Sequence, residues 1–586
     1  MRNGFQEDRC EQHLDCIRKR KQHYLSDKAK FISTLEDALI RVPVFLRPRR
    51  FGKTYFTDLL ENYYDISKAG EFDRNFEGTW IHEHKTSKAN SLCCLRLDFS
   101  SVSSSPGKVE QSLADGIATS LRIFSGRYPE LGLSLPFKEE QEPLNVPPSR
   151  LMLDFLTNFS LKARKSNRKL FIIIDEYDHF ANEILARDKD AFKEITSTST
   201  EHVGLIKNFY SCLKQFFGRT ESPIERFFIT GVSAVSLDSL TSGFNIATNI
   251  SSMPQFSSMA GFTHDELSHV IDETVDFSAL HSVTKPELMD VMETYYDGYC
   301  FSKNSAERVF NPNMCLSFLK GLLIAGEIPQ EMPGNSTEDI SKLDGMLDLT
   351  AQENRSEISD IIFRRESIKD QLPGVLNLNG SDLLDKDQAV WMLFYMGYIT
   401  LDFSEGVAQY KCPNEITYQT FVDYLSKHHK INPSYYGANL KDALRYGNIK
   451  EIVEDVEKSI TELPSSAFSG FNERVLQLHF YYLVKRMAAG NATPVVEAET
   501  GDNGRADLYI KNASGGPDML LELKYISKAK ASDSAVATQL GAAKAQLERY
   551  AGAPKFKGIK NLKAFAIVFA GRKAVALEEV SPRHAC

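Results

Sequence analysis

No run of about 18 or more continuous apolar residues occurs in the chain, so no segment is expected to cross a membrane. The opening MRNGFQEDRCEQHLDC is polar and charged and is not expected to act as a secretory signal. No Cys-x-x-Cys pair occurs among the nine cysteines. The odd number excludes a full set of intrachain disulfides, and the spacing offers no thiolate zinc site. Reduced thiols in an intracellular setting, cytoplasmic or nuclear, are the expectation. The chain also lacks internal repeats, low-complexity tracts and a dominant charge: 69 Lys/Arg against 78 Asp/Glu give −9 over 586 residues. At that length one core is not enough, and three or four domains are expected. Apolar and charged contents of 42% and 25% are ordinary for globular chains.

Two regions carry chemistry. In the first, RVPVFLRPRRFGKTYFTDLLENYY (41–64) starts as an apolar strand and ends as an amphipathic helix. Between them Gly52-Lys53-Thr54 matches the end of a phosphate-binding loop. There the lysine reaches the β- and γ-phosphates, the threonine hydroxyl binds Mg²⁺, and the helix N-terminus holds the anion. The loop's usual first glycine is here Arg47, and Arg47-Pro48-Arg49-Arg50 enter positive φ less freely than glycine. FIIIDEYD (171–178) reads as a buried parallel strand with Asp175 and Glu176 at its C-terminal end. Asp175 would reach Mg²⁺ through water and Glu176 would position the attacking water. A further apolar strand, RFFITGVSAVS (226–236), ends in Thr230 and Ser233, at the position of sensor residues. His179 follows the acidic strand and reads as a polar helix-start residue.

The second region lies near the C-terminus. GRADLYI (504–510) is followed by LLELKY (520–525), with turn formers between, so a hairpin can bring Asp507 beside Glu522 and Lys524. Residues two apart on a strand share a face. Two hard carboxylates can hold Mg²⁺, which lowers the pKa of a bound water, and a lysine can orient that water or offset developing charge. The bland alternative is two strands with an exposed ion pair. Flanking segments read as a helix (471–489), a strand (494–500), an alanine-rich helix (about 535–550) and a buried strand (561–570). That order, together with Asp507, Glu522 and Lys524, resembles the PD-(D/E)XK nuclease superfamily. Glu473 and Gln546 fall where that superfamily often has functional residues. Residues 471–586 carry 17 Lys/Arg against 11 Asp/Glu, a balance of +6 that leaves −15 elsewhere. A basic module is compatible with a phosphate-backbone partner.

RPRRFGKT, FIIIDEYD, GVSAVS, SGFN (242–245), GFTHDEL (261–267), YYDGYCF (295–301), VFNPNMCL (309–316), MGYITLDF (396–403) and YKCPNEI (410–416) follow one another in that order. Together they resemble the AAA-ATPase-like family, over roughly residues 24–570. Its members join a P-loop ATPase to a C-terminal PD-(D/E)XK domain, and an arginine-rich loop without the first glycine is its usual form. The family's aspartate before an early lysine corresponds here to Ser26-Asp27-Lys28. The resemblance implies a multidomain α/β protein with an AAA-type parallel sheet, ATP and Mg²⁺ as cofactors, and nucleic acid, DNA foremost, as partner. A homo-oligomer is compatible with it.

The expected boundaries are a charged helical lead-in (1–40), a P-loop ATPase-like domain (41–262), a helical lid (263–330) opened by a Thr263–Glu266 capping box, a helical, winged-helix-like linker domain (340–465) and a nuclease-like domain (466–586). The winged region reads as relay or spacer, because residues 385–416 are not basic. The basic run Arg18-Lys19-Arg20-Lys21 reads as a solvated helix face. Tyr295, Tyr296 and Tyr299 are expected to pack the lid on the ATPase core. Arg47, Arg49 and Arg50 are expected to include at least one phosphate contact. The functional expectation is an ATP-binding and hydrolysing P-loop protein coupled to a Mg²⁺-dependent endonuclease. The alternatives are a nucleotide switch or a scaffold whose nuclease-like domain binds without cutting.

Overall fold

The computed structural model describes residues 26–581, save 106, 138–145, 186–187, 198–202, 218–220, 235–244, 281–282, 304, 306, 330–336, 371–383, 404–406, 430–439, 464–470, 489–491, 502–503 and 513–514. The Arg18–Lys21 run and most of the SGFN segment lie outside the described residues. The chain divides into two compact units, residues 1–358 with 367–418, and residues 359–366 with 419–586. The stretch 340–465, expected as one linker domain, is shared between them.

The first unit is built on a sheet of β1 (Pro43–Leu46), β2 (Cys93–Asp98), β3 (Leu170–Asp175), β4 (Ile224–Gly231) and β5 (Thr248–Asn249), in the order β2-β3-β4-β1-β5. All of its pairs are parallel. Every residue of β1 and β3 is buried, as continuous apolar runs covered on both faces require. Register sets Asp98 beside Asp175 and Leu46 beside Gly231, so the C-terminal ends share one edge, where such sheets bind ligands. Helix α1 (Lys53–Tyr64) leaves that edge after β1.

The stretch expected as a lid holds α2 (His264–Thr274), α3 (Lys285–Tyr296) and α4 (Pro312–Ala325). Both bonds of the Thr263–Glu266 capping box form. Leu267, Ile271, Leu288, Met292, Phe318 and Leu322 form their core. Further along the chain, β6 (Ile368–Lys369), β7 (Thr400–Asp402) and β8 (Gln409–Lys411) make a small antiparallel sheet, β6-β8-β7, with helix α5 (Lys386–Met396) between β6 and β7 in sequence. Gly298, the glycine of YYDGYCF, has φ +96°, and a Cβ there would meet Pro413 O at 2.1 Å. Two motifs far apart in sequence thus meet at a position only glycine fills.

The second unit holds α6 (Glu473–Ala488), β9 (Ala492–Glu499), β10 (Arg505–Asn512), β11 (Asp518–Ile526), α7 (Asp533–Ala551), β12 (Leu562–Ala570) and β13 (Lys573–Val580). The sheet order is β13-β12-β11-β10-β9. β11 and β12 are parallel and joined by α7, and the other pairs are antiparallel. The expected helix, three strands, helix and strand are all present, and β13 adds an edge beyond them. Ala543, Leu547 and Tyr550 of α7 pack over Leu520, Ala564 and Ala566. Emptying the Leu547 site would cost about 2–5 kcal/mol.

Candidate functional site

Where β1 ends, the chain turns through Arg47–Gly52 into α1. Arg50 (φ 67°) and Gly52 (φ 91°) take left-handed conformations. The arginine therefore does adopt positive φ, at a cost of about 1–2 kcal/mol. Phe51 secures the turn from below: it is buried, stands edge-on to Tyr299 (4.8 Å) and Phe301 (5.5 Å), and its carbonyl accepts Gly261 N–H at 2.9 Å. This contact realises the packing role expected of Tyr299. No side chain caps α1, so its first-turn N–H groups are left for an anion.

Arg47 requires a correction. It is fully buried, and Nη1 donates to Leu46 O and Ser251 O, both at 2.8 Å, while Nη2 donates to Phe256 O (3.1 Å) and Ser257 O (3.2 Å). The guanidinium also lies over the Phe45 and Phe301 rings, and burial lowers its pKa to about 9. With these donors committed to backbone carbonyls, Arg47 fastens the loop to residues 251–257 and does not face a phosphate. Arg49 lies 3.3 Å from His179 Nδ1, and Arg50 is exposed on the cavity described next.

A cavity of about 790 Å³ opens over the start of α1, within the ~300–1,000 Å³ usual for small-molecule sites. Its lining combines Arg50, Gly52, Lys53, Thr54 and Glu176 with Met259, Phe262, Pro312, Asn313 and Leu316. Lys53 is buried; its ammonium donates to Arg47 O (3.1 Å) and Pro48 O (3.2 Å) and pairs with Glu176 at 3.5 Å. Glu176 has φ 52°, a left-handed turn that brings its side chain to the cavity wall.

Asp175 is 1% exposed. Burial pushes its carboxyl up, and Arg96 acts against that shift. Arg96 Nη2 donates to Asp175 Oδ2 (3.0 Å) and Thr57 Oγ1 (3.1 Å), while Asp175 Oδ1 accepts Glu176 N–H at 3.1 Å. Thr54 is exposed, and the threonine beside Asp175 is Thr57, at 3.4 Å. Thr230 is fully buried and its hydroxyl finds no partner among the described residues. Sequence reasoning missed Arg96, which nothing in LRLDF sets apart, and Asp178. Asp178 accepts Val232 N–H (3.0 Å), Ser233 N–H (2.6 Å) and Asn182 Nδ2 (2.6 Å), joining the ends of β3 and β4.

In the second unit, β10 and β11 pair with Leu508 opposite Leu521, and one further step sets Asp507 opposite Glu522. Asp507 Oδ1 accepts Gln477 Nε2 at 2.8 Å and Oδ2 accepts Leu523 N–H at 2.6 Å. Lys524 donates to Glu522 (2.8 Å) and Glu473 (3.4 Å) and lies 3.9 Å from Asp507. Glu522 is 1% exposed and its Oε2 has no partner among the described residues. Burial pushes the Asp507 carboxyl well above its ordinary value and raises that of Glu522 against the pull of Lys524, with Glu522 adding to the effect on Asp507 and Glu473 adding to both. Burial alone would lower Lys524, but the three carboxylates outweigh it and raise it.

Gln546 is half-buried on α7 and makes no hydrogen bond to this cluster among the described residues. Gln477, one turn after Glu473, does. Gln477 also reaches Glu497 at 3.3 Å, whose carboxyl is raised to about 7, first by burial and then by Asp507. Like charges crowded in a buried setting, with one carboxylate oxygen unpartnered, fit a divalent cation. Among the described residues no three His, Cys, Asp or Glu side chains are grouped to hold an ion, so such a site would be open, completed by water and ligand.

Residues 12–241 match the AAA-ATPase-like family, described as predicted AAA-ATPase. An uncharacterized protein in the vnfD 5′ region of Azotobacter chroococcum mcd 1 is 25% identical over 308 residues, 52% of this chain and 50% of that protein. The matched stretch thus spans about half of that relative's length. Among solved structures, the chain is similar to the Walker-type ATPase PABY2304 of Pyrococcus abyssi (13% identity, TM-score 0.34, 67% of this chain and 94% of the other). It is also similar to the Aeropyrum pernix ORC2 protein in its ADPNP and ADP complexes (12% identity, TM-score 0.23, 73% and 93%). No helix among the described residues is long and apolar enough to cross a membrane.

Proposed function

We propose that the AAA-ATPase-like part binds and hydrolyses a nucleoside triphosphate, ATP foremost, and that the Asp507 cluster cleaves nucleic-acid phosphodiesters, DNA foremost, with Mg²⁺. The observation that carries the first half is Lys53. Its ammonium rests on two loop carbonyls and Glu176, at an uncapped helix start facing a ligand-sized cavity. A triphosphate would draw Lys53 off those carbonyls onto its β- and γ-oxygens. Thr54 and, through water, Asp175 would hold Mg²⁺, which supplies charge neutralisation on the phosphates. Glu176 would position the attacking water, and Arg50 would add a charge-assisted bond from the cavity rim.

For the second half, Asp507 and Glu522 would hold the metal, which activates water when bound. Lys524 would orient that water or offset the charge developing on the phosphate. One observation favours a rival, a nucleotide switch that binds nucleic acid without cutting: both Asp507 carboxylate oxygens already accept hydrogen bonds, from Gln477 Nε2 and Leu523 N–H. Incubating the full chain with plasmid and single-stranded DNA, with Mg²⁺ and with or without ATP, separates the two. Cleavage that disappears in Asp507→Asn, with DNA binding kept by the basic surface, is the expected result. Cleavage surviving in Asp507→Asn contradicts the assignment, and binding without cleavage in the wild type selects the rival.

A further inference from the structure

The cavity over α1 is larger than a phosphate group requires, and part of its lining has a different character. Met259, Phe262, Pro312 and Leu316 present an apolar wall there, and Ser26 and Lys28 border it. Lys28 is 3% exposed, an unusual place for an ammonium unless it is fully paired. Its Nζ donates to Ser258 O (2.8 Å) and Glu266 Oε2 (2.6 Å). A lysine carries three N–H donors; among the described residues two have partners, and Lys28 lines the cavity. Glu266 is shared, because the same Oε2 accepts Thr263 N–H (2.9 Å) in the capping box that starts α2. Tyr55 of α1 donates to Ser26 O at 3.0 Å, so the segment holding Lys28 is fastened to the phosphate-binding helix as well as to the lid.

We propose that Lys28 reads the base of the bound nucleotide: its free N–H donates to an acceptor on a purine lying against the Met259–Phe262–Leu316 wall, while Glu266 ties that contact to lid helix α2. The inference rests on the nucleotide reading above and deepens it, making Lys28 a specificity-determining residue. A purine covers more of the apolar wall than a pyrimidine, and apolar area removed from water is what the wall can reward. Lysine is suited to the task because, with two of its three donors committed, its ammonium can turn the remaining one on a flexible stem rather than in a fixed fork.

The test compares ATP, GTP, CTP, UTP and inorganic tripolyphosphate binding to the full chain by calorimetric titration in Mg²⁺. Tripolyphosphate carries the phosphate chain without base or sugar. The wild type is expected to bind ATP or GTP at least about tenfold more tightly than tripolyphosphate, and more tightly than CTP or UTP. Lys28→Met should remove most of that advantage and leave tripolyphosphate affinity unchanged. Removing Lys28 strands Glu266, so Lys28→Met with Glu266→Gln keeps a capping-box residue and guards against simple misfolding. Leu316→Ala, on a half-buried site, should weaken purine binding severalfold with Lys28 intact. Equal affinity for ATP and tripolyphosphate in the wild type, or full discrimination in both Lys28 variants, overturns the proposal while leaving the phosphate-binding reading standing. Binding of neither ligand overturns both.

Discussion

The guanidinium of Arg47 donates to four backbone carbonyls in a buried site. Arg47→Ala would leave those carbonyls unpaired and open a cavity, and a loss of at least about 3 kcal/mol in urea unfolding is expected. Arg47→Lys should not restore it, because an ammonium cannot reproduce the planar fork. A phosphate-binding arginine would behave oppositely, losing affinity with stability intact. Glu497 gives a pH prediction at the same scale. Its carboxyl is raised from 4.5 to about 7 by burial and by Asp507. The folded state therefore holds more protons than the unfolded state between those values, and stability falls as pH rises from about 4.5 to about 7. Glu497→Gln should flatten that slope and stabilise the second unit at pH 8 by up to about 3 kcal/mol. Calorimetric unfolding across the range checks it, and an unchanged slope counts against the crowding of carboxylates at Asp507.

Among the elements, the loop before α1 depends on a distant glycine. Gly397 ends α5 with φ +83°, and a Cβ there would come within 2.7 Å of Pro48. Gly397→Ala should therefore displace the phosphate-binding loop and weaken nucleotide binding. Gly515→Ala, at φ +81° with nothing within 4 Å, carries the same backbone cost of about 1–2 kcal/mol and should leave nucleotide binding unchanged. Equal effects of the two substitutions on nucleotide affinity would refute the loop contact.

Elements of this kind differ in how far sequence reveals them. The apolar runs of β1 and β3, the Thr263–Glu266 capping box and the α7 helix were legible, since each is written in local periodicity or a short-range pair. Arg47 was not, because RPRRFGKT carries no mark of the carbonyls at 251–257 that claim its donors. Gln477 and Glu497 join Asp507 through a helix turn and a strand register fixed only by folding, although the Glu473–Gln477 spacing puts both on one helix face. Gln546 showed the reverse: it falls at the right place in order, yet no hydrogen bond ties it to the cluster among the described residues.

At the scale of the whole molecule, the division at residues 358–367 and 418–419 cuts through helices that sequence alone reads as one linker domain. Helical periodicity shows which face is buried but not which neighbour buries it, so the boundary was not legible. Net charge was: residues 471–586 carry +6 within a chain of −9, and DNA retention should accordingly weaken as salt rises. Nucleotide chemistry in the first unit turns on Lys53 as the proposed phosphate anchor and Glu176 as the residue acting on the bound nucleotide. Thermal unfolding of the wild type, Lys53→Ala and Glu176→Gln with Mg·ATP, paired with phosphate release, tests it most directly. Stabilisation of about 2.7 kcal/mol at a hundredfold excess over Kd is expected in the wild type and Glu176→Gln, none in Lys53→Ala, and phosphate release in the wild type alone. No shift in the wild type, or a full shift in Lys53→Ala, would contradict it.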